Sequence, residues 1–139
     1  MLKYHFGRKS MKKKVLCLLL SIVLCFLTIM PAFAATRGTS GTCGFSVSGK
    51  SISFYAYNIS TMNEDVIRAT AYLWELRDGS WYQIADVSNT LYNTDYVLTS
   101  KTVTVSGGHY YMVTGSFYRR TGTVSYSGSA STSRRWVPA

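Results

Sequence analysis

The stretch Thr70–Ile84, "TAYLWELRDGSWYQI", decides the fold of this chain. Its centre, Asp78-Gly79, suits a two-residue hairpin turn, because both central positions of such a turn need a positive φ. A two-residue turn at this pair predicts an antiparallel hairpin in which Leu76 lies opposite Trp81 and Leu73 lies opposite Ile84. The dense aromatic content of this hairpin then raises the question of which face is buried.

Alternation along the hairpin sorts its side chains onto two faces. The face of Leu73 and Ile84 is apolar deep in the strand, whereas the other face begins with Arg68 and Thr70. Unpaired charge is costly to bury, so this second face is predicted to point toward solvent. On that assignment an aromatic platform, a surface that would stack a sugar ring or anchor a protein partner, is formed by Tyr72, Trp74, Leu76 and Trp81. With the faces reversed, Trp74 is a buried core tryptophan and the platform disappears.

The rest of the chain after residue 34 also follows a period of two, which is typical of strands. The other predicted strands are "CGFSVS", "KSISFYAYN", "YVLTSKTVTVS", "HYYMVTGSFYR" and a weaker one in "TGTVSYSGSASTSRRW". Gly107-Gly108 predicts a second hairpin, "SNTLYNTD" a loop, and "TMNEDVIRAT" the one possible helical turn. About seven strands at a spacing of roughly 8–12 residues predict an all-β fold, an antiparallel β-sandwich of immunoglobulin or fibronectin III type.

The amino-terminal residues 1–34 have the three parts of a secretory signal peptide. "MLKYHFGRKSMKKK" is basic, "VLCLLLSIVLCFLTIM" is apolar, and "PAFA" ends in the small residues Ala32 and Ala34. The apolar run is shorter than the roughly 20 residues that a spanning helix needs. We therefore expect a secreted single domain, residues 35–139, without a stable membrane anchor after cleavage. Met1 and Met11 are both acceptable starts.

Removal of this segment changes what charge and cysteine content imply. Six of the fifteen Lys and Arg precede Ala35, which leaves nine basic against six acidic residues and a net charge of +3 instead of +9. That balance argues against a nucleic-acid partner. Cys43 remains as the single thiol, so no intramolecular disulfide is possible. It is predicted to be a small buried residue of the first strand, with a dimerising disulfide as the alternative, in a monomer or weak dimer.

The sequence contains no recognisable catalytic or metal-binding pattern. His109 is predicted to be a solvated turn residue and Glu75 a strand glutamate, and the Glu64-Asp65 pair is expected in a polar loop, with weak Ca²⁺ binding as the alternative. No spacing brings these groups to one cleft, and no serine lies in a nucleophile elbow. We therefore predict no enzyme activity, no cofactor and no metal.

Three segments of the chain carry a resemblance to a known group of proteins. The segments are "MKKKVLCLLLSIVLCFLTIMPAFA", "RDGSW" and "VTVSGGHYYMVTGSFYRR". Together they resemble a loose family of small secreted proteins of Gram-positive bacteria, with Trp81, Tyr111 and Phe117-Tyr118 at the family's packing positions. The resemblance covers nearly the whole chain. It implies export and an immunoglobulin-like domain, and it carries over no catalytic residue.

The function predicted from the sequence is that of a non-catalytic secreted binding module for an unknown protein or glycan outside the cell. Two alternatives stay open. One is a small secreted antagonist of the bacteriocin type, suggested by size, export and positive charge. The other is an exported hydrolase.

The exported chain should begin at Ala35, because the cleavage rule requires the small residues Ala32 and Ala34. Mass spectrometry of a culture supernatant should find a chain without residues 1–34. Recovery of the full-length chain in the membrane fraction alone would contradict this prediction.

Overall fold

The computed structural model describes residues 41–139, so the predicted signal peptide and its cleavage site lie outside the described residues. The described part of the chain consists of eight strands connected by short turns. They are β1 (Thr42–Ser48), β2 (Ser51–Glu64), β3 (Val66–Arg77), β4 (Ser80–Leu91), β5 (Thr94–Thr104), β6 (His109–Thr121), β7 (Val124–Ser131) and β8 (Arg135–Val137). Residues 41–139 include no helix of the length and apolarity that crossing a membrane requires.

The strands form two antiparallel sheets. Sheet A has the order β1-β2-β5, and sheet B has the order β4-β3-β6-β7, with β8 also paired to β6. The predicted all-β fold, an antiparallel immunoglobulin-like sandwich, is confirmed. The last predicted strand is divided in two, because residues 132–134 are not part of a strand and separate the pairing of β7 with β6 from that of β8 with β6.

The core lies between the two sheets and is built from alternate residues of each strand. Sheet A contributes Ile52, Phe54, Ala56 and Val97, and sheet B contributes Ile67, Ala69, Ala71, Leu73, Tyr111, Val113 and Phe117. Leu73 is fully buried, and Ile84 packs against the cluster from β4. The face of β3 that the sequence predicted to be buried is therefore the core face.

The hairpin β3–β4 turns at Asp78-Gly79, both with positive φ, and pairs Leu76 with Trp81. The predicted pairing of Leu73 with Ile84 is wrong, because a β-bulge at Ile84 moves Leu73 opposite Ala85. Without this bulge, alternation would point Asp86 into the core. The extra residue keeps Asp86 on the outer face and returns Val87 to the inner face.

Three connections differ from their sequence predictions, each because the chain crosses between sheets there. Gly107-Gly108 is not a hairpin turn, since β5 belongs to sheet A and β6 to sheet B. The first half of the predicted loop "SNTLYNTD" is the end of β4, Tyr92-Asn93 form a tight corner, and the last two residues begin β5. The segment predicted as a possible helical turn contains the irregular end of β2, and the chain then passes into β3 at Asp65. Alternation by itself does not tell which of two sheets a strand joins.

Leu73→Ala should lower the free energy of unfolding by about 2–5 kcal/mol, the usual cost of removing a fully buried leucine side chain. Leu98→Ala is the matched control, since Leu98 is 46% exposed on the outside of sheet A. Urea denaturation followed by tryptophan fluorescence measures both. Equal costs for the two variants would contradict the assignment of the core face.

Candidate functional site

The four predicted platform residues lie together on the outer face of sheet B. Tyr72, Trp74, Leu76 and Trp81 are all half-buried, whereas the alternate residues of β3 are buried in the core. The Tyr72 and Trp74 rings are 6.5 Å apart, and Trp74 Nε1 donates a hydrogen bond to Thr114 Oγ1 at 2.8 Å. The indole of Trp74 is thus fixed by the neighbouring strand.

The platform is larger than the hairpin alone. β6 pairs with β3 on the side opposite β4, and places Tyr110 beside Leu76 and Met112 beside Trp74. β8 then places Trp136 beside Tyr110. One row across four strands therefore consists of Trp81, Leu76, Tyr110 and Trp136.

The exposed end of this row is its β8 end. Trp136 is 49% and Tyr110 is 37% exposed, and their rings meet edge to face with centroids 5.1 Å apart. The Arg134 guanidinium carbon lies 4.8 Å from the centre of the Tyr110 ring, a cation–π arrangement. We call the set Tyr72, Trp74, Leu76, Trp81, Tyr110, Met112 and Trp136 the aromatic face.

The three residues missed from the sequence belong to strands that are distant from the hairpin along the chain. Alternation in "HYYMV" put Tyr110 and Met112 on one face of their strand. It gave no sign that β6 is the neighbour of β3, because the glycine pair at 107–108 predicted pairing with β5 instead. Trp136 is placed by a strand of only three residues.

A buried carboxylate lies at the turn end of β3, on the core side. Glu75 is 2% exposed, and its Oε1 accepts a hydrogen bond from Arg77 Nε at 2.6 Å. His109 Nε2 is 3.5 Å from the same oxygen, and His109 Nδ1 is 3.2 Å from the Leu76 carbonyl oxygen. The prediction that no route brings His109 and Glu75 together is therefore wrong, because β3 and β6 are adjacent in sheet B.

The chemistry of this cluster is that of an ion pair. The hydrogen bond from Arg77, with smaller contributions from its charge and that of His109, lowers the pKa of Glu75 although burial opposes the shift. A carboxylate with a lowered pKa is a weak base and stays ionised at neutral pH. Glu75 is therefore suited to a charged contact with Arg77 and His109 that stabilises this end of sheet B. Beside it, burial raises the pKa of Tyr111, whose side chain is fully buried near the start of β6.

A second buried carboxylate, Glu64, lies at the opposite end of β3. Ser60 Oγ donates a hydrogen bond to it at 2.5 Å, Thr121 Oγ1 donates another, and Arg119 Nε lies 4.0 Å away. The adjacent Asp65 accepts a hydrogen bond from the Gly122 amide at 2.6 Å. The expectation that Glu64 lies in a polar loop is wrong, since it is 1% exposed. Glu64 and Asp65 thus connect the β2–β3 corner to the β6–β7 turn.

Residues 41–139 contain no group of three or more His, Cys, Asp or Glu side chains close enough to hold a metal ion. Cys43 is half-buried in β1, its Sγ lies 3.7 Å from the Val113 carbonyl oxygen, and burial raises the pKa of its thiol.

An open cleft of about 370 Å³ lies where β1 faces the segment between β7 and β8. It is lined by Gly44, Phe45, Tyr55, Thr132, Ser133, Arg134 and Arg135. The lining contains two arginines and no acidic side chain, so any charged ligand of this cleft would be an anion.

Comparison with known proteins adds little to this geometry. No protein-family model and no curated protein matches the sequence. The solution structure of R. palustris CsgH is similar at 12% identity over 64% of this chain and 89% of that one, with a TM-score of 0.38. Spo0M, a sporulation control protein from Bacillus subtilis, is similar at 12% identity over 73% of this chain and 50% of that one, with a TM-score of 0.41. Neither likeness says what this chain does, and membership of the secreted Gram-positive family stays a prediction.

Glu75→Gln should make unfolding less dependent on pH. The folded-state pKa of Glu75 is lowered from its ordinary 4.5, so its ionised form stabilises the fold above that pH. This stabilisation is lost as the pH falls through the folded-state pKa. The variant should lose about 1.5–3 kcal/mol at neutral pH, the value of a charged hydrogen bond, and the difference from wild type should shrink below about pH 4.5.

Thermal unfolding between pH 2 and 8 measures this difference, with Asp86→Asn, an exposed carboxylate on the outer face, as the control. Parallel curves of melting temperature against pH for wild type and Glu75→Gln would contradict the structural role of the Glu75–Arg77 ion pair.

Proposed function

We propose that residues 35–139 form an exported, non-catalytic interaction module that binds a protein partner through the aromatic face. The observation that carries the proposal is the continuous row from Trp81 to Trp136 on the outer face of sheet B. Export rests on the composition of residues 1–34, which has the regions of a signal peptide.

The composition of the aromatic face favours a protein over a glycan as its partner. The centres of protein interfaces are enriched in tryptophan, tyrosine, methionine and arginine, and Trp and Arg often carry most of the binding energy. The face combines Trp136, Tyr110 and Met112, with Arg134 stacked against Tyr110. Sugar-binding platforms need polar groups around the ring, but the indole N–H of Trp74 is already bonded to Thr114.

Charge at the edge of the aromatic face indicates what the partner should carry. Arg134 stacks on Tyr110 at the edge of the face, and the cleft that Arg134 and Arg135 line has no acidic side chain. A partner with an apolar centre and acidic groups at one side is complementary to this surface. Such rim charges affect the association rate and its salt dependence more than the affinity.

The test is the affinity of an identified partner for matched variants. Proteins retained from extracellular and cell-wall extracts by the immobilised domain would be identified, produced in pure form and titrated against it. Trp136→Ala should weaken binding by roughly 30-fold or more, as expected for a tryptophan hot spot. Tyr92→Ala is the control, since Tyr92 is 67% exposed but lies at the β4–β5 corner, away from this face.

Trp136 is half exposed, so its removal should leave the fold intact, which a thermal melt would verify. Equal affinity of Trp136→Ala, Trp81→Ala and wild type would refute the proposal. Loss of glycan-array binding in these variants, without any protein partner, would assign the face to a glycan instead.

A further inference from the structure

The outer face of sheet A, on the opposite side of the sandwich, carries no charged residue. Its members follow from the alternation and pairing of the three strands: Thr42, Gly44, Ser46, Ser48, Ser51, Ser53, Tyr55, Tyr57, Ile59, Tyr96, Leu98, Ser100, Thr102 and Thr104. We call this set the tyrosine face. By contrast, the outer face of sheet B includes Arg68, Asp86 and Arg120.

One half of the tyrosine face consists of exposed rings and aliphatic side chains. Tyr55 is 37%, Tyr96 is 41% and Leu98 is 46% exposed. Tyr57 lies between them, with its ring centre 6.2 Å from that of Tyr96. An apolar cluster of this kind on the outside of a sheet indicates a contact surface.

The ring of Tyr55 lies across the neighbouring strand, because the residue beneath it is a glycine. A Cβ atom on Gly44 would come within 2.5 Å of the Tyr55 hydroxyl oxygen and 2.7 Å of Cζ. Only the missing side chain at Gly44 lets the ring rest on the backbone of β1. The ring therefore covers the sheet surface and presents one of its faces outward, as a stacking platform does.

The other half of the tyrosine face is composed of hydroxyl side chains. Ser53 and Thr102 share a hydrogen bond of 2.7 Å between their oxygens, and Ser46, Ser51 and Thr104 continue the hydroxyl surface around them. Hydroxyl groups both donate and accept hydrogen bonds, as sugar hydroxyls do. Serine is depleted in protein interfaces, so this half of the face is unlike a protein-binding surface.

We propose that the tyrosine face binds an uncharged polysaccharide. The rings of Tyr55, Tyr57 and Tyr96 stack against the apolar faces of the sugars, and the serine and threonine hydroxyls bond to sugar hydroxyls. Arg134 and Arg135 come close to this face only at its β1 edge, where they line one cleft together with Gly44 and Tyr55. Tyr57 and Tyr96 are not among the residues that line the cleft, and on this face the three strands carry no cation for a nucleic acid, an acidic glycan or an anionic lipid surface. Charge complementarity therefore commits the site to a neutral ligand. This site is separate from the aromatic face, on which the proposed protein partner would sit.

The test measures retention of the purified domain, residues 35–139, on insoluble cellulose, chitin, xylan, mannan and curdlan. Wild type should bind at least one of them, with the same affinity at 50 mM and 1 M NaCl, because no ion pair contributes. Tyr55→Ala, Tyr57→Ala and Tyr96→Ala should each weaken that binding by roughly tenfold. Trp136→Ala and Tyr92→Ala are the matched aromatic controls and should bind as wild type does.

The variant Gly44→Ala tests the position of the Tyr55 ring separately from its presence. It keeps the ring, but the added methyl group would displace the ring from β1. It should weaken binding about as much as Tyr55→Ala does, with the fold verified by circular dichroism.

Three results would overturn the proposal. The first is retention on none of the five polysaccharides. The second is retention on polygalacturonate alone, lost at high salt and unchanged in Tyr57→Ala and Tyr96→Ala, which would assign binding to the cleft that Tyr55 lines together with Arg134 and Arg135. The third is a dimer in sedimentation that the tyrosine variants abolish, which would make a second copy the occupant. Retention by the wild type with loss in Trp136→Ala would instead contradict the separation of the two faces.

Discussion

The alternation of side chains along β3 is the constraint on which the rest of the structure depends. This strand is hydrogen-bonded on both sides, to β4 and to β6, so its register is fixed. A shift by one residue would move every side chain of the strand to the opposite face. Ile67, Ala69, Ala71 and Leu73 thereby point into the core, and Tyr72, Trp74 and Leu76 point out. The bulge at Ile84 adjusts β4 to this strand, since it keeps Asp86 outside and leaves both Ile84 and Ala85 against the core.

Both ends of β3 are held by buried carboxylates instead of apolar side chains. Glu75 at one end is bonded to Arg77 and lies beside His109, while Glu64, just before the other end, accepts hydrogen bonds from Ser60 and Thr121. Buried carboxylates are tolerated where partners replace their lost hydration. Glu75 through His109 and Glu64 through Thr121 also connect β3 and β2 to β6, which is distant in the chain. Glu64 and Glu75 therefore stabilise the two ends of β3 through these contacts.

The two outer faces of the sandwich differ in the chemistry that they offer. The aromatic face combines indoles, a methionine and a stacked arginine, and the tyrosine face combines phenol rings with hydroxyls and has no charge. A module with a protein-binding surface on one side and a polysaccharide-binding surface on the other would hold a protein at a glycan-rich surface.

The sequence by itself determined the class of fold, the turn at Asp78-Gly79 and the face of the hairpin that is buried, because these depend on local alternation and turn chemistry. Only the tertiary structure decided which strands are neighbours. Pairing of β6 with β3 brought Tyr110 to Leu76 and His109 to Glu75, and pairing of β2 with β1 laid Tyr55 over Gly44. The glycines at 107 and 108 suited a hairpin equally well and instead carry a crossover between sheets. A period of two records which side of a strand is apolar, but it contains no information about the strand that lies beside it.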